Sequence, residues 1–148
     1  MVVIVLIVRE LAGILTNVYY AALVPGGVDQ KLLLNDDGGT TDQFMPALDF
    51  DATGDHVITF YDRRDDTTNT SYRLYRAYTD IGGSAIQSNQ DASLFSSTAQ
   101  NSWTVGPFIG DYHETWNTSI NGVSTWLSSW IGVNTNNNSD VFISTIQP

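Results

Sequence analysis

Two clusters hold side chains whose types and spacing could do chemistry. The first is Asp62-Arg63-Arg64-Asp65-Asp66, two adjacent guanidinium groups boxed in by carboxylates in a chain with only six Lys and Arg. A guanidinium fork pairs bidentately with a carboxylate. The cluster therefore either offers a cation to an anionic ligand or ties off its own aspartates. Neighbours on a strand face opposite ways, so at most one of Arg63 and Arg64 can address a given site. Stitching of the loop to its surroundings is the preferred reading. The second cluster is Gly110-Asp111-Tyr112-His113-Glu114. On a strand, Tyr112 and Glu114 share a face, where the carboxylate could take the phenolic proton, and His113 turns away. A packed aromatic with a locally bonded hydroxyl is the preferred reading of Tyr112. Trp116, with Trp103 and Trp130, could offer an aromatic surface to a sugar or a protein.

Other candidates are weaker. Asp49, Asp51, Thr53, Gly54 and Asp55 mimic a calcium loop, but Phe60 stands where a bidentate Glu belongs, so a hairpin turn is expected. His56 and His113 lack metal-ligand spacing. Asn69, Asn117 and Asn137 fit glycosylation sequons, a pattern that arises by chance in an Asn- and Thr-rich chain. Arg73 and Arg76 fall on a second strand, where solvated pairing with acids is expected.

The chain of 148 residues has a formal charge of −10, which excludes nucleic acid as a partner because phosphate binding needs a basic surface. It has no cysteine, so disulfides and Cys-based zinc sites are excluded, and no cofactor is expected. The apolar start, Met1–Val8, is too short to span a membrane and is interrupted by Arg9 and Glu10. A buried strand is preferred there over a signal remnant or an aberrant gene start, and no membrane span is expected elsewhere.

The elements that must position these residues are strands. Hydrophobic content of 42% and 17 aromatic residues (four Trp, seven Tyr, six Phe) favour a β core. Phe44–Phe50, a turn at Asp51–Asp55, Val57–Tyr61, a polar loop and Tyr72–Ala77 form one unit. It matches Phe108–Glu114, a turn at Gly122, Val123–Leu127, Asn134–Asn138 and Asp140–Ile146. Asn17–Gly27 lines up with Arg73–Gly83 as a partial third copy, with Val2–Val8 in the place of Val57–Tyr61. A repeat of about 55–65 residues with about four strands has the size of a propeller blade.

The stretch "QFMPALDFDATGDHVITFYDRRDD…YRLYRAYTDIGG" resembles the BNR-repeat, sialidase-like β-propellers, and "FIGDYHETW…GVSTWLSSW…SDVFISTI" is similar to their closing blade. Of the family's Asp box, only Asp80 and Gly82 are kept, and both are expected to mark a structural turn. The resemblance implies an all-β fold of four-stranded antiparallel blades, six in a complete parent. About two and a half fall here: the end of one blade over 1–41, a complete one over 42–100 and a partial last one over 101–148. Phe44–Phe50 and Phe108–Glu114 would then be equivalent innermost strands. The resemblance further implies a parent that binds or hydrolyses glycans. Tyr112 would be the nucleophile, with Glu114 as its base, Asp111 close by, and Arg63 or Arg64 as one arm of a carboxylate clamp beside Trp116. Active members also carry a Phe/Tyr-Arg-Ile-Pro segment that this chain lacks, so the isolated chain is expected to be inactive. A non-catalytic module binding carbohydrate or protein is the alternative. A glycan or glycoprotein partner, an extracellular or cell-surface location and self-association through exposed blade edges complete the expectations.

Overall fold

The computed structural model describes residues 2–9, 15–28, 31–80, 85–98, 100–102, 106–109, 112–133 and 138–146. Its regular elements are all strands: β1 (Val2–Arg9), β2 (Thr16–Val24), β3 (Gly27–Val28), β4 (Leu32–Leu33), β5 (Gln43–Phe50), β6 (His56–Asp62) and β7 (Ser71–Thr79). There follow β8 (Gln90–Asp91), β9 (Ser97–Thr98), β10 (Gln100–Ser102), β11 (Gly106–Phe108), β12 (Glu114–Ile120), β13 (Val123–Val133) and β14 (Ser139–Ile146). Among the described residues there is no helix, and so none long and apolar enough to cross a membrane.

Turn chemistry sets the hairpins. Between β5 and β6, the Asp51 carboxylate collects the N–H groups of Thr53, Gly54 and Asp55, and Gly54 takes φ 91°. That is an Asx-type turn, with the carboxylate spent on the backbone. Between β12 and β13, Asn121 and Gly122 have φ 53° and 79°, the positive pair that a two-residue hairpin of matching twist requires. Pro46 interrupts β5 without breaking it. The register slips between Phe44 and Ala47, and Met45 adopts φ 48°, because a residue without N–H is tolerated at a bulge on an edge strand.

Antiparallel pairing gives three larger sheets and one small one. The first is β1-β2-β3 with β4 also on β2, the middle one β5-β6-β7-β8 with β9 on β7, and the third β12-β13-β14; β10 and β11 pair apart. They hold four, five, three and two strands, where four were expected of the complete unit over 42–100 and fewer of the partial ones, and no sheet closes on itself among the described residues. The middle sheet is covered on both faces, and β6 is buried along its whole length. By alternation, Ile58 and Phe60 join Val18, Tyr20, Leu34, Tyr75 and Ala77 against the first sheet. On the other face Val57 meets Trp126 and Ile146 of the third sheet, and Tyr61, with Tyr72 and Leu74 beside it on β7, meets Trp130. Each such large apolar side chain contributes about 1.5–3 kcal/mol by leaving water.

The middle and third sheets stack in register. His113 reaches the Met45 carbonyl and the Asn117 N–H reaches Asp49, both across 68 residues, so β12 runs alongside β5 in the same sense. This corrects the repeat. The first strand of the third sheet begins at Glu114, whereas Phe108 ends β11 and Tyr112 and His113 lie outside any strand. Phe108–Glu114 is therefore not the counterpart of Phe44–Phe50. The counterpart is Glu114–Ile120.

β13 overhangs β12, because Glu114 pairs with Ser129 and β13 continues to Val133. The bare side of the overhang is capped from the middle sheet. Tyr61 Oη accepts the Ile131 N–H at 2.8 Å, Tyr72 Oη donates to the Ile131 carbonyl at 3.0 Å, and Ser97 Oγ accepts the Val133 N–H at 3.1 Å.

Candidate functional site

Arg64 leaves the end of β6 and turns back over it. Its Nε donates to Asp62 Oδ2 at 2.9 Å, Nη1 to Asp36 Oδ1 at 2.7 Å and Nη2 to Asn89 Oδ1 at 2.8 Å, and the guanidinium lies 4.3 Å from the Tyr75 ring centre. Asp62 is fully buried, and Gln43 also donates to it. Burial raises the Asp62 carboxyl above its ordinary range against the pull of Arg64. Burial also works against the Arg64 charge, but the Asp62 and Asp36 carboxylates outweigh it and hold the charge more firmly than usual. Arg63 points to a separate hub. Its Nη1 donates to the Asn69 carbonyl at 2.7 Å and stands 3.6 Å from Asp42, with the guanidinium over the Phe44 ring. Asp42 also takes the Thr16 N–H, the Thr16 hydroxyl and Asn69 Nδ2. Burial pushes the Asp42 carboxyl up, and these donors more than reverse it. The two arginines thus face different hubs: Arg64 ties the end of β6 to Asp36 and Asn89, and Arg63 flanks Asp42, whose carboxylate holds Thr16 at the start of β2.

Arg73 pairs with Asp91 at 2.5 Å and with Asp65 at 3.6 Å. Arg76 differs from expectation: its partner is the Gln90 side-chain carbonyl rather than an acid, and burial pulls its pKa down. Asp80 Oδ1 accepts the Ala85 N–H at 3.2 Å, as a turn-forming aspartate does, while Gly82 lies outside the described residues.

The second cluster is not assembled as a strand face. Tyr112 precedes β12 and is 86% exposed, so it is not the packed aromatic that was expected. Glu114 opens β12 and is exposed, and no hydrogen bond joins it to Tyr112 among the described residues. Asp111 and Trp103 lie outside the described residues. Trp116 is half-buried on the face of β12 opposite Thr115, away from the middle sheet. Two sequon asparagines are engaged: Asn69 Nδ2 holds Asp42 and Asn117 Nδ2 donates to Ser124; Asn137 lies outside the described residues.

Between the middle and third sheets lies a polar cluster that sequence reasoning missed. The bulge at Pro46 leaves the Met45 carbonyl outside the ladder, where it faces His113 Nδ1 at 2.8 Å. A carbonyl can only accept, so Nδ1 carries the proton and Nε2 is the acceptor. Nε2 lies 2.7 Å from Thr59 Oγ1 and 3.0 Å from Ser128 Oγ. Thr115 donates to Ser128, and Ser128 donates to the Glu114 carbonyl, each at 3.1 Å. Thr59 then supplies the hydrogen to Nε2, and its oxygen also contacts the Thr115 hydroxyl. A serine beside an imidazole oriented through Nδ1 has the parts of a nucleophilic pair. Yet Ser128 and Thr59 are both fully buried, so no substrate carbonyl can reach either hydroxyl. Burial depresses the His113 pKa to about 4, which keeps the ring neutral. The cluster joins sheets.

No family model matches the chain, and neither a curated protein nor a solved structure is recognisably similar to it.

Proposed function

We propose that the chain is an extracytoplasmic segment of a sialidase-like propeller that contributes a glycan- or protein-contacting surface to its parent and performs no hydrolysis itself. Stacked antiparallel meanders, with β5 and β12 side by side in the same sense, support the blade-like part of this proposal. The observation that carries the non-catalytic part is the state of Arg64. Every nitrogen of its guanidinium is already held by Asp62, Asp36 or Asn89, so it has no edge left for a sugar carboxylate. Sialoside cleavage needs nucleophile, acid and carboxylate clamp around one oxocarbenium-like centre. Each absent charged contact forfeits about 2–4 kcal/mol of transition-state stabilisation. The exposed phenol of Tyr112 and the half-exposed indole of Trp116 are the side chains that a sugar or a protein loop would meet.

A fluorogenic sialoside and a glycan array separate the alternatives. The expected outcome is no turnover, with weak glycan retention that falls in Tyr112→Ala or Trp116→Ala. Turnover that disappears in Tyr112→Phe would overturn the non-catalytic assignment. Absence of retention on every glycan would leave protein contact as the function.

A further inference from the structure

The turn between β12 and β13 holds the one asparagine in the chain that glycine follows, Asn121-Gly122. All of Ser119–Ser124 is exposed, and the first buried side chain along β13 is Thr125. The two outermost pairs, Ser119–Ser124 and Ile120–Val123, therefore bury little, and a hairpin tip of that kind opens locally at small cost. Among the described residues no hydrogen bond engages the Asn121 carboxamide, and the Gly122 N–H takes part neither in the ladder nor in a turn bond. A Cβ at Gly122 would meet nothing within 4 Å, so the nitrogen has open space around it.

We propose that Asn121 is a site of spontaneous modification, at which the Gly122 backbone nitrogen attacks the Asn121 side chain whenever the turn opens. The nitrogen gives up its proton and bonds to Asn121 Cγ. The Cγ–Nδ2 bond breaks, and the side-chain nitrogen leaves as ammonia. Water, the only co-reactant, then opens the cyclic imide. Addition at Cγ gives aspartate, whereas addition at the main-chain carbonyl carbon gives isoaspartate, with the chain running through the former side chain. Glycine matters because a Cβ on residue 122 would crowd the attacking nitrogen. The fold supplies the gate. At φ 53° Asn121 lies in the left-handed region, which sets Cβ beside its own carbonyl oxygen and hence opposite the next nitrogen. In the closed turn Gly122 N thus faces away from Cγ, and rotation about the Asn121 Cα–C bond must precede attack. Reclosing cannot undo the change. Isoaspartate lengthens a connection whose two residues must both keep positive φ, so the outermost pairs are lost. The Asn117–Trp126 pair is retained by the buried Trp126 and by the Asp49 bond to Asn117.

Ageing of the folded chain in mildly alkaline buffer, with peptide mapping that separates aspartate from isoaspartate, tests the site. The expected result is conversion at Asn121 ahead of every other asparagine, with isoaspartate among the products and a rate that rises with pH. Conversion should be several-fold faster when urea unfolds the chain. Asn121→Gly keeps two residues that accept positive φ and removes the carboxamide. Aged wild type should show a lowered urea midpoint, and aged Asn121→Gly should not. Earlier conversion of another asparagine, aspartate without isoaspartate, or an equal rate in the folded and unfolded chain would each overturn the proposal. An equal loss of midpoint in the aged variant would overturn it as well, because the change would then lie outside this turn. The peptide map of the wild type decides the matter even if the variant fails to fold.

Discussion

His113 carries a pH dependence whose sign the geometry fixes. In the unfolded chain its ring takes a proton near 6.5, whereas in the fold, enclosed by Thr59, Thr115, Ser128 and the Tyr61 ring, it does so only near about 4. Between those values the unfolded state binds more protons. Stability is therefore complete above 6.5 and falls as the pH drops towards 4, by at most about 3 kcal/mol. Asp36 and Asp42 add a further loss below the ordinary carboxylate value of 3.8. In both, burial opposes ionisation, but the hydrogen bonds and arginine contacts prevail. Urea melts at pH 7 and pH 4.5 should show the first loss, and His113→Gln should remove most of that difference. An unchanged difference in the variant would show that the ring is not its source. Arg63 and Arg64 were legible in sequence as a pair that ties off aspartates. Of the cluster's own three, however, only Asp62 is taken, while Arg63 goes to Asp42, Asp65 to Arg73 and Asp66 to the Thr68–Ser71 turn. The cluster around His113 was not legible, because Thr59, Thr115 and Ser128 come from three strands and only packing of two sheets brings them together.

Among the elements, β13 shows how narrow the tolerance is. A Cβ at Gly132 would stand 2.8 Å from Trp130 Cζ3 and 3.0 Å from Phe142 Cδ2, two rings packed 5.2 Å apart. Gly132→Ala should cost about 1–3 kcal/mol, read as a lowered denaturant midpoint with an unchanged slope. A neutral result would mean that the rings can shift. Strands with apolar alternation and strong turns were visible in sequence: β6, β7, β13 and β14 stand where their β-branched and aromatic runs placed them, and Asp51–Asp55 and Gly122 mark real turns. β12 was invisible for a physical reason. Glu114-Thr-Trp-Asn-Thr-Ser-Ile buries only Thr115 fully, so it has no hydrophobic period to read, and the more apolar Phe108–Glu114 took its place in the repeat. The two-residue strands β3, β4, β8 and β9 are too short to repeat the strand's alternation even once.

At the scale of the whole molecule, the middle sheet is a slab whose two faces are both cores, and the outer sheets each contribute one. An all-β chain was evident from composition, while the order in which the sheets stack depends on the 68-residue contacts between β5 and β12, which no local pattern encodes. The stacking also sorts the chromophores. The four tryptophans all come at or after Trp103, and Trp116, Trp126 and Trp130 belong to the third sheet, whereas Tyr61, Tyr72, Tyr75 and Tyr78 belong to the middle one. Tyr78 lies 5.9 Å from Trp126, ring centre to ring centre. The interface is thus a natural energy-transfer pair: light absorbed by the phenols should emerge as indole fluorescence while the sheets are docked. Phenol emission should reappear when they part, whether by urea or by acid. Indole-only emission persisting after the backbone signal is lost would mean that the transfer does not depend on docking. A label-free optical gauge of one interface is written into the order of the aromatic residues along the chain.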